Sequence, residues 1–405
     1  MVAVHVILAI VLRNYRFIST LHAILVFAIG AWTALNEDDL KKVIPVTAYI
    51  MGAEVLWRMT KANIFWEFGK YAIVAIFIIA LLRKGKLKKA GLPILYFLLL
   101  TPSIFYTVNA FGLSEHTREM ISFNLSGPLA ASVAILFFSQ VEIDLSEMEK
   151  YIWPAIYPIL GILTLAAYNT ITASEISFGT ESLFVTSGGY GPNQVSAILG
   201  LGALLLVMLT ISGRQTTSRF LAILFSLALL TQSFLTFSRG GIYNFAIGLT
   251  LAILHLLGKP DKFIRSTFIV LLIGMTVGFL IFPQLEAFTG GMLGQRFTNV
   301  ETTGRLELAE ADLQLFYRNP ALGVGPGMSS LLRFNNSFAA AHTEYTRLIA
   351  EHGISGILAF LVLLIILVRS YFKAPDAMSR AWMVALAAWP LVEMGHAAMR
   401  VASIS

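Results

Sequence analysis

Residues 193–211 read Asn-Gln-Val-Ser-Ala-Ile-Leu-Gly-Leu-Gly-Ala-Leu-Leu-Leu-Val-Met-Leu-Thr-Ile, with no ionisable side chain and no polar face at helical spacing. A helix apolar all round must be buried in a large core or in lipid. About 20 such residues cross the hydrocarbon of a bilayer. Working outward, comparable stretches recur at 18–35, 43–57, 64–82, 92–111, 123–140, 151–172, 220–237, 241–257, 267–285, 354–371 and 381–399. The run 2–12 is shorter and reads as a short span, a re-entrant piece or an interfacial helix. Twelve or thirteen spans follow.

Composition agrees. Of 405 residues, 57% are hydrophobic and 13% charged. A soluble domain carries roughly 25% charged residues, so this surface needs lipid as its solvent. The expected fold class is an all-α polytopic membrane bundle of about 12 transmembrane helices, one domain over 1–405. The first apolar run lacks a small-residue cleavage site, so it is not read as a removable signal peptide. No cysteine is present, which excludes disulfides, zinc–thiolate sites and thiol catalysis. The net charge of +6 does not imply nucleic acid, because Lys and Arg in such a protein first report topology.

The densest basic cluster, Arg83-Lys84-Gly85-Lys86-Leu87-Lys88-Lys89, marks the cytoplasmic side. Alternation puts Arg214/Arg219, Lys259/Lys262/Arg265 and Arg369/Lys373/Arg380 on that side as well. Arg13/Arg16 and Arg58/Lys61 fall outside and are exceptions to the rule. The outside also receives the loop 173–192, the turn Ser238-Arg239-Gly240-Gly241 and a long segment, 286–353.

That long segment has helical patterning. Leu306, Ala309, Leu313 and Phe316 share one face, and Glu307, Glu310 and Asp312 lie on another. Asn319-Pro320 stops the helix, and Gly323, Gly325, Pro326 and Gly327 make a turn. A second helix runs from about Thr343 to His352, with Gly353 as its stop. Amphipathic helices beside a bilayer lie in the interface with the apolar face down.

Several side chains could carry chemistry, each beside a plainer reading. His342 begins the second loop helix. It is either a proton acceptor near neutral pH or a solvated helix-start histidine. Arg239 stands between two apolar runs beside glycines that admit close approach. It either binds phosphate bidentately or snorkels to headgroups. Arg305 follows Gly304 at a helix start, where anions are favoured; the plain reading is an exposed surface arginine. Arg296, Arg333 and Arg347 on the same loop form, with these, an arginine cluster suited to a phosphate-bearing ligand or to lipid headgroups. Glu393, His396 and Arg400 share one helical face of the last apolar run. Ionisable groups inside a span are functional hypotheses, unless the run is shallow and wetted. There is no Walker loop, no His-Glu-x-x-His, no Asp-x-Asp and no serine-hydrolase or kinase signature.

The ordered set Gly191-Pro192-Asn193, Ser238-Arg239-Gly240, Thr303-Gly304-Arg305, Asn319-Pro320-Ala321-Leu322-Gly323-Val324-Gly325-Pro326-Gly327, Ala341-His342-Thr343-Glu344-Tyr345 and Ala350-Glu351-His352-Gly353-Ile354-Ser355-Gly356 resembles the signature of the O-antigen ligase and O-antigen polymerase superfamily. The resemblance spans about 190–360. It implies a GT-C-type, inverting, metal-independent glycosyltransferase without cofactor, in the bacterial inner membrane, with its active site facing the periplasm. The loop 286–353 would be the periplasmic catalytic loop.

The implied donor is a glycan on undecaprenyl diphosphate. The implied acceptor is lipid A–core in a ligase of lipopolysaccharide biosynthesis, or another lipid-linked repeat unit in a polymerase. The family's essential arginines fall on Arg239 and Arg305, and its essential histidine on His342. Thr343 stands where the family often has Asn or Ser. Arg239, Arg305, Arg296 and Glu393 are the expected substrate-binding residues, Glu393 without a motif to anchor it. A transporter of lipid-linked oligosaccharide is the reading from another class; it would favour repeat symmetry and midplane breaks, and no repeat is seen.

Overall fold

The computed structural model describes residues 1–85, 87, 90–213, 219–299, 304–333, 343–396, 399 and 401–403. Among them the chain is all-helical and without strands. The helices are α1 (Val2–Asn14), α2 (Arg16–Asn36), α3 (Ile44–Met59), α4 (Phe68–Lys84), α5 (Gly91–Leu98), α6 (Ile104–Phe111), α7 (Glu115–Phe138), α8 (Met148–Thr172) and α9 (Pro192–Ser212). The second half adds α10 (Arg219–Leu235), α11 (Gly240–Leu254), α12 (Pro260–Met275), α13 (Phe282–Phe288), α14 (Met292–Thr298), α15 (Arg305–Arg318), α16 (Ser329–Leu332), α17 (Glu344–Lys373) and α18 (Ala377–Met394). A π-helical stretch, Thr276–Ile281, joins α12 to α13 without a break.

Six helices are long and apolar enough to cross a membrane: α2, α7, α8, α9, the continuous Pro260–Phe288 and α17. Helices α1, α10 and α11 are shorter and apolar. The protein is a polytopic helical membrane protein. The run 2–12, ambiguous in sequence, is helix α1, packed along α8 with His5 stacked on Tyr157 at 5.1 Å.

The uniform helix α9 lies at the centre, with 94% of its apolar window buried, and α8, α10 and α11 pack around it. Pro260–Phe288 is its opposite, with 11% of its window buried. Its outward Phe268, Phe279 and Leu280 are explicable only by lipid. Its 29 residues extend about 43 Å at 1.5 Å per residue, beyond the ~30 Å of hydrocarbon. The surplus carries α13 and α14 out to one end of the bundle.

Polar ties separate the two ends. Lys41 bonds Glu147 at 2.7 Å, Arg83 bonds Asp38 at 2.8 Å and Lys84 donates to the Gln140 carbonyl at 3.1 Å. These form the basic end. Arg58 donates to Gln194 at 2.9 Å and to the Trp66 carbonyl at 2.8 Å, and Arg13 donates to Asn169. These lie at the other, which we call the loop end. Arg13 and Arg58 thus stand opposite Arg83. Lys86, Lys88, Lys89 and Arg214 lie outside the described residues.

Two expected spans need correction. The run 92–111 is not one helix. It breaks at Thr101-Pro102-Ser103 into α5 and α6, where Pro102 lacks the amide a continuous ladder needs. The run 381–399 ends as a helix at Met394. Beyond it the chain turns back into the bundle. The Met399 amide donates to Glu344 at 3.3 Å, its carbonyl accepts from Lys70 at 2.9 Å, and the Ala402 amide donates to Glu54 at 2.6 Å. Arg400 lies outside the described residues, so the shared face expected for Glu393, His396 and Arg400 reduces to the first two.

Candidate functional site

The site grows from the turn between α10 and α11. Phe237 has φ +56, a left-handed conformation that a bulky residue adopts only when its surroundings impose it. The imposing group is Arg296. Its Nε donates to the Phe237 carbonyl at 2.8 Å and its Nη1 to the Thr180 carbonyl at 2.7 Å. One buried guanidinium therefore fastens α14, the α10–α11 turn and the segment between α8 and α9. Ser238 follows, donating through Oγ to Asn193 Oδ1 at 2.8 Å. The Gly-Pro-Asn and Ser-Arg pieces of the sequence are in direct contact.

Arg239 occupies the N-cap of α11. It is half-buried, and its Nη1 donates to the Asn299 carbonyl at 2.5 Å. The two glycines after it permit close approach on both sides. A Cβ on Gly241 would lie 1.9 Å from the Ser196 carbonyl of α9, and one on Gly240 would lie 2.3 Å from Cε1 of His396. Small residues at helix crossings let backbones meet this closely.

His396 brings the end of α18 into the same place. Its Nε2 is 3.1 Å from Asn244 Oδ1 and 3.4 Å from Glu393 Oε2. Asn244 Nδ2 donates to Glu393 Oε2 at 2.5 Å. Glu393 and Asn244 are buried, and His396 is partly open, its side chain 19% exposed. The turn at Arg239 and the Glu393/His396 pair, which sequence left apart, form one cluster at the loop end. Asn244 was missed. Its signal was a lone amide in an apolar run.

The long loop is braced rather than laid on the surface. Helix α15 packs on α17 through Leu308, Ala311, Asp312 and Leu315. The expected apolar face is displaced, because Leu306 is 66% exposed while Asp312 is 1% exposed. Asp312 can be buried because Arg333 donates to it at 2.9 Å and Thr346 at 3.1 Å. A buried charge must be paired in this way. Arg347 is likewise enclosed, donating to Glu344, to Glu351 at 2.6 Å and to Asn124 at 3.2 Å. The expected ligand-facing arginine cluster is therefore corrected at Arg333 and Arg347, whose partners are carboxylates of the protein itself.

Thr343 caps α17, accepting from the Thr346 amide at 3.2 Å. At Gly353, φ +61 and ψ −142 interrupt the helix, which leaves carbonyls of the preceding turn without helical partners. The glycine-rich turn supplies them. Val324 N donates to the Ala350 carbonyl at 3.0 Å and Gly325 N to that of Glu351 at 2.9 Å. The Ile354 amide in turn donates to the Pro320 carbonyl at 2.8 Å. The turn also seats in the α5–α6 break, where Thr107 donates to the Pro326 carbonyl at 3.0 Å and Ser103 Oγ lies 2.6 Å from His352 Nδ1. Tyr345, on another face of α17, donates to the Leu391 carbonyl of α18 at 2.6 Å.

Arg305 is the first residue of α15, after Gly304 with φ +75; its side chain lies outside the described residues. His342 lies outside them too. Among the described residues no group of three or more His, Asp or Glu could hold a metal ion.

Residues 224–361 match the family model described as O-Antigen ligase. The matched stretch takes in the turn at Arg239, Arg296, the loop and the kink at Gly353, and ends before Glu393. Among curated proteins, none matches the chain.

Proposed function

We propose that this chain, which resembles the O-antigen ligase family over 224–361, transfers a glycan from undecaprenyl diphosphate to a hydroxyl of lipid A–core at the periplasmic face of the bacterial inner membrane. The observation that carries the reading is the arginine at a rigid turn. Arg239 projects from a turn fixed by Arg296, Asn193 and two glycine contacts, at the end of the bundle that also holds the long loop.

The chemistry needs three things. The bond between the anomeric carbon and the diphosphate oxygen breaks, so negative charge grows on the leaving group. Arg239 and Arg305 stabilise it; a planar fork suits phosphate oxygens and is always charged. Prepositioned charges of this kind are the largest source of catalysis in many enzymes. The acceptor hydroxyl attacks the opposite face of the anomeric carbon, which inverts its configuration, and His342 takes the hydroxyl proton. Neither step calls for a metal, in keeping with a sequence that lacks Asp-x-Asp. Glu393 acts through Asn244 and His396 as the wall behind Gly240, on the substrate side of α11.

Reconstitution with a lipid-linked donor and lipid A–core tests this reading. Glycan appearing on lipid A–core supports it. Longer lipid-linked chains would make the protein a polymerase instead. With wild-type protein, no transfer to either acceptor would defeat both.

A further inference from the structure

A cavity of about 880 Å³ opens beside α17 at the loop end. Its walls come from the α3–α4 connection, the start of α7, the residues around α16 and the outer part of α17. The face of α17 that lines it carries Arg347 and Glu351. Tyr345, whose hydroxyl reaches α18, precedes Arg347 by two residues and so points about 200° around the helix from it. The cavity therefore lies on a different face of α17 from the one that meets α18.

Three features of the lining define what fits. First, two adjacent aromatic rings stand at the mouth. Phe65 and Trp66 are 55% and 41% exposed. Trp66 is not loose, because the Arg58 guanidinium lies 4.2 Å from its ring centroid and is itself bonded to Glu54 and Gln194. Second, Glu67 lines the cavity at 9% exposure, close enough to the buried Lys70 ammonium to interact with it. One cation does not use all the lone pairs of a carboxylate, and oxygens facing the cavity accept hydroxyl protons well. Third, the charge balance is not that of an anion site. Glu67, Glu119 and Glu351 face Arg118 and Arg347, and Arg347 is already held by Glu344 and Glu351. A phosphate would meet net negative charge there.

Aromatic faces for C–H surfaces, carboxylates for hydroxyls and no surplus positive charge describe an uncharged sugar. The volume is within the ~300–1,000 Å³ of small-ligand sites. We propose that this cavity binds an uncharged oligosaccharide, the glycan portion of one of the two substrates. The inference rests on the glycosyltransferase reading for its purpose, though not for its geometry.

The test uses the full chain in lipid nanodiscs and isothermal titration, which needs no turnover. The probes are two fractions released by mild acid from the surface polysaccharide of the cells that make the protein: a short core fraction and a longer fraction containing repeat units. Glu67→Gln should weaken binding of one fraction at least tenfold. It should raise the KM for the corresponding substrate by a similar factor, with kcat and the other KM within twofold. Loss confined to the core fraction identifies the acceptor glycan, and loss confined to the repeat fraction the donor glycan. Glu119→Gln, at the exposed rim, should act in the same direction and serves if the first variant folds poorly. Wild-type protein that binds neither fraction, or variants that bind both as wild type does, would overturn the proposal. Unchanged binding beside intact transfer removes the cavity and leaves the transferase reading standing. Oligosaccharide binding that depends on Glu67, without any transfer, does the reverse.

Discussion

Glu393 and Asn244 are 149 positions apart in the chain and share a buried hydrogen bond of 2.5 Å. The bond closes α18 onto α11, and His396 bonds the same amide from the other side. A terminal helix that lies beyond the matched segment thereby becomes the back wall of the turn that carries Arg239.

Breaking that bond should cost stability before it costs chemistry. Asn244→Ala leaves a buried carboxylate short of a donor, a loss of about 1–3 kcal/mol. We expect a lower Tm in detergent. A double-mutant cycle with Glu393→Ala should show strong non-additivity, because the two side chains are in contact. Additive losses would mean the bond is not energetically significant.

Gly240→Ala should displace the His396 ring, which a Cβ would approach to 2.3 Å. Transfer should fall at least tenfold. Adding His396→Gly removes the clash, and the double variant should regain thermal stability. Gly241→Ala has no such remedy, since its obstacle is the Ser196 backbone carbonyl at 1.9 Å. It should fail to accumulate in membranes.

Arg239→Lys tests the diphosphate role. A point charge cannot reproduce the planar fork, so transfer should drop by a factor on the order of 100, taking the ~2–3 kcal/mol end of charged hydrogen bonds. Expression and Tm should stay close to wild type. His342→Ala should lower kcat while leaving donor binding in place. Near-normal transfer by either variant, at normal protein levels, would remove that residue from the mechanism.

The Arg333–Asp312 pair should behave as a structural tie of the loop. Both side chains are essentially inaccessible at 0% and 1% exposure. Removing one partner of such a pair costs about 3–5 kcal/mol, and replacing both by apolar residues restores much of it. Arg333→Met alone should destabilise the protein, and Arg333→Met with Asp312→Leu should recover. Thermal unfolding of the purified variants measures this. If both single variants are as stable as wild type, the loop is not held by this pair.

What could be read from the residues alone was whatever lipid and local backbone chemistry impose. Apolar runs such as 193–211 have no stable place except a bilayer or a core, so the helical membrane bundle followed from composition and length. The helix start near Thr343 and the stop at Gly353 were legible for the same reason, since each depends on local backbone chemistry. The boundaries at Pro102 and Met394 were less so, because hydropathy does not register a missing amide or a chain turning back. What only the tertiary structure decided was partnership. Arg333 and Asp312 look solvent-seeking in sequence, and they are buried because each found its counter-charge on another segment; Arg347 is buried between two carboxylates of its own helix and Asn124 of α7. Glu393 and His396 joined Arg239 only when α18 packed on α11. Desolvation makes a polar group's surroundings decide its role, and those surroundings come from distant parts of the chain.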